Sequence, residues 1–329
     1  MTERRKSMKR AIYAGTYAEN GSVGMYAFDF DEGRLSPAKP FCPARNSKYL
    51  TVTECGIVAV CDFEERSGAA LVSFQGEILS QTAFEDCTSC FVMTEGNVVY
   101  TTNYHEGAVS RILLQNQTLQ YQDTVFIRKK AGCHQALRWK DRLLVPCLFL
   151  DEVRLFDGDM NPAGAIAFPL GTGPRHGVFS KDGTRLYLVS ELSNELFVIS
   201  TGDWAIQSRV SVLPGGMTHK KDTAAIRLSE NGRYLYVSTR TMDLLSVVEL
   251  EGDSPRLIQT IPCGGQHPRD FILVEDWLLV ANRFSGSVVS FDLNDDGTIG
   301  EKGDEIKIPG VVCLGVHDED SLPDCGGTV

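Results

Sequence analysis

The chain has 329 residues, 43% hydrophobic and 23% charged, the balance of an ordinary soluble globular protein with room for a large core. With 43 acidic residues against 32 basic ones, the formal net charge is −11, which repels phosphate backbones and anionic membrane surfaces and sets both aside as partners. No stretch approaches the roughly 18 consecutive apolar residues of a membrane span, and an anionic ligand would need a local group of arginines to overcome the overall field.

Residues 1–10 (MTERRKSMKR) are basic and no apolar signal-peptide core follows them, so a disordered leader on a cytoplasmic protein is expected. A short apolar, β-branched and aromatic run then recurs along the chain. Its copies are residues 11–17 (AIYAGTY), 57–63 (IVAVCDF), 98–104 (VVYTTNY), 142–148 (RLLVPCL), 185–191 (RLYLVSE), 234–240 (YLYVSTR) and 277–283 (WLLVANR). Their starts lie 46, 41, 44, 43, 49 and 43 residues apart, a spacing that suits four-stranded propeller blades. No helical periodicity of comparable length competes with it.

Turn signals precede the runs. Lys181-Asp182-Gly183-Thr184 joins residues 175–180 to 185–191, and Asn231-Gly232 joins 224–228 to 234–240. Third strands are expected at 196–199, 245–250 and 288–293, and fourth strands at 207–213 and 257–261. The first run lacks a preceding strand, and residues 311–316 (VVCLGV) lack a following one. Pairing the two would close a ring and leave no exposed edge. The prediction is one all-β domain, a seven-bladed β-propeller over residues 11–317 closed by its N- and C-terminal strands, with a tail at 318–329.

The ten cysteines fall mostly in apolar runs, as at Cys61, Cys147 and Cys313, where a free thiol behaves as a small core residue. Cys87-x-x-Cys90 has no matching second pair, so reduced thiols are expected and no metal is assigned.

In such a ring the start of each blade's first strand and the end of its second lie at one end of the barrel. The starts carry His134, Arg175, His176, His267 and Arg269, and the ends carry Asp62, Asn103, Glu191, Arg240 and Asn282. Each has a bland alternative: an arginine can bridge blades, a histidine can be a hydrogen-bonded structural residue, and Asp or Asn can cap a turn. Glu191 closes an apolar run near the axis and needs a partner if buried, and Arg175 and Arg240 are its natural ones. Their joint occurrence at one rim points to a cationic pocket for an anionic sugar-type substrate. Gly171-x-Gly173 precedes a strand and is no dinucleotide loop, and no nucleophile elbow, zinc helix or phosphate loop is present.

Gly173-Pro174-Arg175-His176, continuing through Asp182-Gly183 to Glu191-Leu192, resembles the lactonase family of seven-bladed propellers. So do His267-Pro268-Arg269-Asp270-Phe271, Val280-Ala281-Asn282 and Asn103-Tyr104 with Gly107. The likeness spans about residues 11–316. It implies hydrolysis of a sugar lactone, most directly 6-phosphogluconolactone to 6-phosphogluconate in the pentose phosphate pathway, without a cofactor. It also places the family's catalytic cluster on His134, Arg175, Glu191 and Arg240. His134 or Glu191 would then serve as base, and the two arginines as oxyanion donors. His176 and Arg269 would anchor a phosphate or carboxylate, and His267, Asn103, Asn282 and Asp62 would complete the substrate contacts. The surroundings depart from the family pattern at Thr88-Ser89-Cys90, Gly132-Cys133-His134 and Pro146-Cys147-Leu148-Phe149. Two alternatives stay open: closure of a carboxylated muconate by a lactonizing cyclo-isomerase, and a non-enzymatic propeller used as a binding platform.

Overall fold

Each of the seven recurring runs forms the second strand of a four-stranded antiparallel blade, except that one blade carries its outermost strand in two pieces. In the computed structural model, residues 9–250 and 254–317 are described. Most of the expected leader and the tail at 318–329 lie outside them, and Arg10 already opens the first strand, Arg10–Thr16. The runs are continuous rather than alternating because each blade is buried on both faces. Gly56–Asp62 and Tyr234–Thr239 are buried along almost their whole lengths, whereas the outer strand Ile78–Glu85 is largely exposed.

Seven apolar clusters fill the seams between neighbouring blades, which shows where the stability lies. One seam packs Ile12 and Phe30 of the first blade against Leu279 and Val288 of the last. Another packs Leu144 and Val153 against Leu186 and Phe197 of the next blade. Burying one such side chain contributes roughly 1.5–3 kcal/mol, so each seam holds its two blades strongly.

The hairpin signals are used as turns at the far end of the barrel. Gly183 has φ 67°, and a Cβ there would lie 2.3 Å from the Trp139 ring of the preceding blade, so the turn needs both glycine's left-handed backbone and its missing side chain. The ring closes as expected: Ala11 pairs with His317, Ile12 with Val316 and Ala14 with Leu314. The inner strands start where the second strands end, as the pairings Pro174–Ser190, Thr223–Thr239 and Pro268–Asn282 show. One rim therefore gathers both sets of residues.

Candidate active site

β-Bulges interrupt three of the inner strands at this rim, one between Thr223 and Ile226 and two that carry arginines. The pairing register slips between Pro174 and His176 in one blade and between Pro268 and Asp270 in another. Arg175 and Arg269 are the extra residues, and a bulge of this kind leaves its residue unpaired and re-aims its side chain. Proline opens both strands, where it has no N–H to leave unpaired. The residue before each proline is left-handed, with φ 64° at Gly173 and 63° at His267. His267 holds that conformation with its N–H on Asp243 Oδ1 at 2.6 Å and its ring packed on Phe284.

Glu191 sits between two guanidinium groups. Arg175 Nε donates to Oε2 at 2.8 Å, and Arg240 Nη2 lies 2.8 Å from Oε1. Arg175 is 1% exposed and also donates from Nη1 to the Ala224 carbonyl at 2.5 Å. Burial, outweighing the Glu191 charge, brings its pKa down to about 10, so it stays cationic at neutral pH. Arg240 is fixed by its Nε donating to the Asp222 carbonyl at 3.1 Å.

His134 Nδ1 faces His176 Nε2 at 3.0 Å, with one proton between the two nitrogens. Burial and the neighbouring Arg175 push both histidines well below the usual value, so both are neutral imidazoles at neutral pH. The Tyr104 ring meets the His134 ring edge-on, and burial with the Glu191 charge lifts its hydroxyl to about 12, which keeps it a donor. Deeper along the axis, Arg227 Nη2 donates to Asp270 Oδ1 at 2.7 Å beside the Tyr49 hydroxyl. Tyr49, Arg227 and Arg269 are partly buried and keep water-accessible area.

The structure thus brings His134, His176, Arg175, Glu191 and Arg240 together, with Arg269 nearby over the Tyr17 ring. It uses others of the predicted residues to build loops. Asn103 Nδ2 donates to Glu85 and the Cys87 carbonyl, while its Oδ1 accepts from the N–H groups of His105 and Glu106. Asn282 is fully buried and donates to the Cys263 carbonyl. Asp62 accepts from Asn46, Ser67 and Thr88 at the wall of a cavity of about 440 Å³ beside the axis. His267 is held near Arg240 and Arg269, and burial with their charges brings its pKa down to about 3.

The sequence reading did not assign Tyr17, Lys48, Tyr49, Tyr104 or the Arg227–Asp270 pair to the site, although Tyr104 and Asp270 stand in the motifs that carry the resemblance. Tyr17 and Tyr104 end recurring runs, so the repeat phase that found Glu191 also marks them. Lys48 lies just before the inner strand Leu50–Thr53, in the phase of Arg175 and Arg269.

A sequence model of the family described as lactonase, 7-bladed beta-propeller, matches residues 11–316. An uncharacterised protein of Lactococcus lactis is 30% identical, the match covering 93% of this chain and 99% of that one. A 6-phosphogluconolactonase of Bacillus subtilis is 25% identical over 92% of this chain and 97% of its own. Among solved structures, a Lactobacillus plantarum protein superposes with a TM-score of 0.87 at 26% identity, covering 94% of this chain and all of that one. The Pseudomonas aeruginosa periplasmic gluconolactonase, at 22% identity and a TM-score of 0.83, shares the fold.

Proposed function

The chain belongs to the lactonase family of seven-bladed β-propellers, lactone-hydrolysing enzymes, and from that premise we propose that it hydrolyses 6-phosphogluconolactone by acid–base chemistry at Glu191. The Bacillus subtilis relative carries that substrate in its name. The observation that carries the mechanism is the Arg175–Glu191–Arg240 bridge beside a neutral His134.

Glu191 takes the proton of the attacking water as oxygen adds to the lactone carbonyl. The negative charge then moves from the carboxylate to the new oxyanion, and the same two guanidiniums keep a counter-charge throughout. One well-aimed donor to an oxyanion contributes roughly 3 kcal/mol to transition-state stability. His134, neutral and with only its Nδ1 engaged by His176, donates a proton to the ring oxygen as it leaves, and the proton that Glu191 took from the water replaces it.

The unpaired cysteines, Cys61, Cys90, Cys147 and Cys313 among them, fit action in the reducing cytoplasm. No helix among the described residues is long and apolar enough to cross a membrane. The test is to give purified protein 6-phosphogluconolactone and follow acid release at constant pH. A rate above the spontaneous one is expected, and none from a folded sample overturns the proposal.

A further inference from the structure

The cations around the pocket differ in what neutralises them. Arg175 and Arg240 share Glu191, Arg227 is paired with Asp270, and Arg283 holds Glu19 through two bonds of 2.7 and 2.8 Å. Among the described residues Arg269 and Lys48 make no ion-pair contact, although Glu191, Asp270 and Glu19 lie within Coulombic reach of Arg269, and Asp62 of Lys48. Arg269 packs its guanidinium over the Tyr17 ring, 5.4 Å from the centroid. Lys48 Nζ lies 5.8 Å from the same centroid and donates only to the Thr88 carbonyl, at 3.0 Å. Both side chains keep water-accessible area, and Lys48 also lines the 440 Å³ cavity, which Arg269 does not reach and whose walls include Asp62, Glu64, Glu65 and Asp86. The buried Cys90 thiol lies within electrostatic reach of Arg269, Arg175 and Lys48, so the two free cations converge on the side of the pocket next to the catalytic group.

We propose that Lys48 and Arg269, which both pack near the Tyr17 ring, are the residues that select a phosphorylated lactone, by receiving its phosphate monoester dianion. A phosphate monoester carries about −1.5 to −2 charges at neutral pH, which matches two cations that no carboxylate contacts directly among the described residues. A carboxylate would satisfy one of them, and an unphosphorylated sugar lactone neither. The guanidinium supplies two parallel donors in a plane, and the ammonium a compact point charge, which together suit a tetrahedral oxyanion group. His176, expected from sequence to share this task, has its Nε2 committed to His134, and Lys48 takes its place. The Tyr17 ring is the positioning element. It lies under Arg283 as well, 4.0 Å from the centroid, and that arginine is already neutralised.

This inference rests on the lactone-hydrolysis reading for its kinetic test alone. Wild type, Lys48→Met, Arg269→Gln and Lys48→Arg would be assayed on 6-phosphogluconolactone and on glucono-δ-lactone, with thermal melts to verify folding. The expected result is a fall of about tenfold to a hundredfold in the ratio of kcat/KM for the phosphorylated over the unphosphorylated lactone in Lys48→Met and Arg269→Gln, carried by KM, with recovery in Lys48→Arg. An equal loss on both substrates, or an unchanged ratio, overturns it. Calorimetric titration with inorganic phosphate decides the matter apart from turnover. Binding by wild type that weakens in both charge-removing variants supports the site, and no binding by wild type, or undiminished binding by the variants, refutes it. If wild type hydrolyses neither lactone, the functional proposal fails while the phosphate titration still judges this one.

Discussion

Replacing Glu191 by glutamine keeps the size of the side chain and removes its charge, and the bridge geometry makes the consequence calculable. Two contacts between ionised groups at 2.8 Å become at best one hydrogen bond from a guanidinium to a neutral amide oxygen and one amide NH2 facing the other guanidinium. Arg175 is 1% exposed, so its charge is left without a counter-ion where water does not reach. Removing one partner of a buried pair costs about 3–5 kcal/mol, and the retained amide oxygen brings the expected loss to roughly 2–3 kcal/mol. Catalysis loses its base, which lowers kcat by about 10²–10⁴. Urea denaturation followed by circular dichroism reads the first quantity, and acid release at constant pH the second. Because the stability loss comes from the stranded Arg175 cation, Glu191→Gln made in an Arg175→Gln background should cost less than it does alone, and a double-mutant cycle measures the difference. A folded Glu191→Gln protein that turns over lactone within about threefold of wild type refutes the assignment of the base. Full additivity in the cycle refutes the shared bridge.

Three other outcomes are expected. His134 and His176 are both held neutral by burial and Arg175, so kcat/KM should show no inflection near the ordinary histidine value of 6.5; an inflection there that His134→Gln abolishes contradicts this. Burial raises the Glu85 carboxyl from 4.5 to about 7 despite its bonds from Ser89 and Asn103. The folded state therefore binds the extra proton between those values, so this group's stabilisation is complete below about pH 4.5 and lost as pH rises to about 7. The loss amounts to up to about 3 kcal/mol. Glu85→Gln should flatten that decline in urea midpoints measured from pH 5 to 8, and an unchanged slope argues against it. Deleting the closing strand Val311–His317 removes four consecutive buried residues, Val311 to Leu314, and bares the edge of Arg10–Thr16. At roughly 1.5–3 kcal/mol per apolar side chain, the loss is comparable to the whole stability of a domain. The truncated chain should melt without cooperativity or self-associate on size-exclusion chromatography, whereas a monomer with the wild-type midpoint refutes the stapling role.

The repeat was legible because a blade packed on both faces needs an unbroken apolar second strand, and that need recurs at nearly constant spacing from residues 11–17 to 277–283. The turn at Asp182-Gly183 and the closure by residues 311–316 follow from equally local requirements, a left-handed backbone and an edge that must be paired. Strand phase also placed Arg175, Glu191 and Arg240 at one rim. Phase alone does not say which rim residues line the axis and which fold back on their own loops. Asn103 and Arg175 occupy corresponding ends of their blades, yet Asn103 is used up by Glu85 and the turn that follows, while a one-residue bulge re-aims Arg175 toward Glu191. Nor does a sequence show which cations are neutralised. Arg283 finds Glu19 across 264 residues because the ring brings its last blade against its first, and Lys48 and Arg269 both come near Tyr17 for the same reason. Local sequence therefore determined the blades and the end of the barrel that carries the chemistry. Only closure of the ring decided which charges there remain free to meet a substrate, because that depends on partners brought together from distant blades.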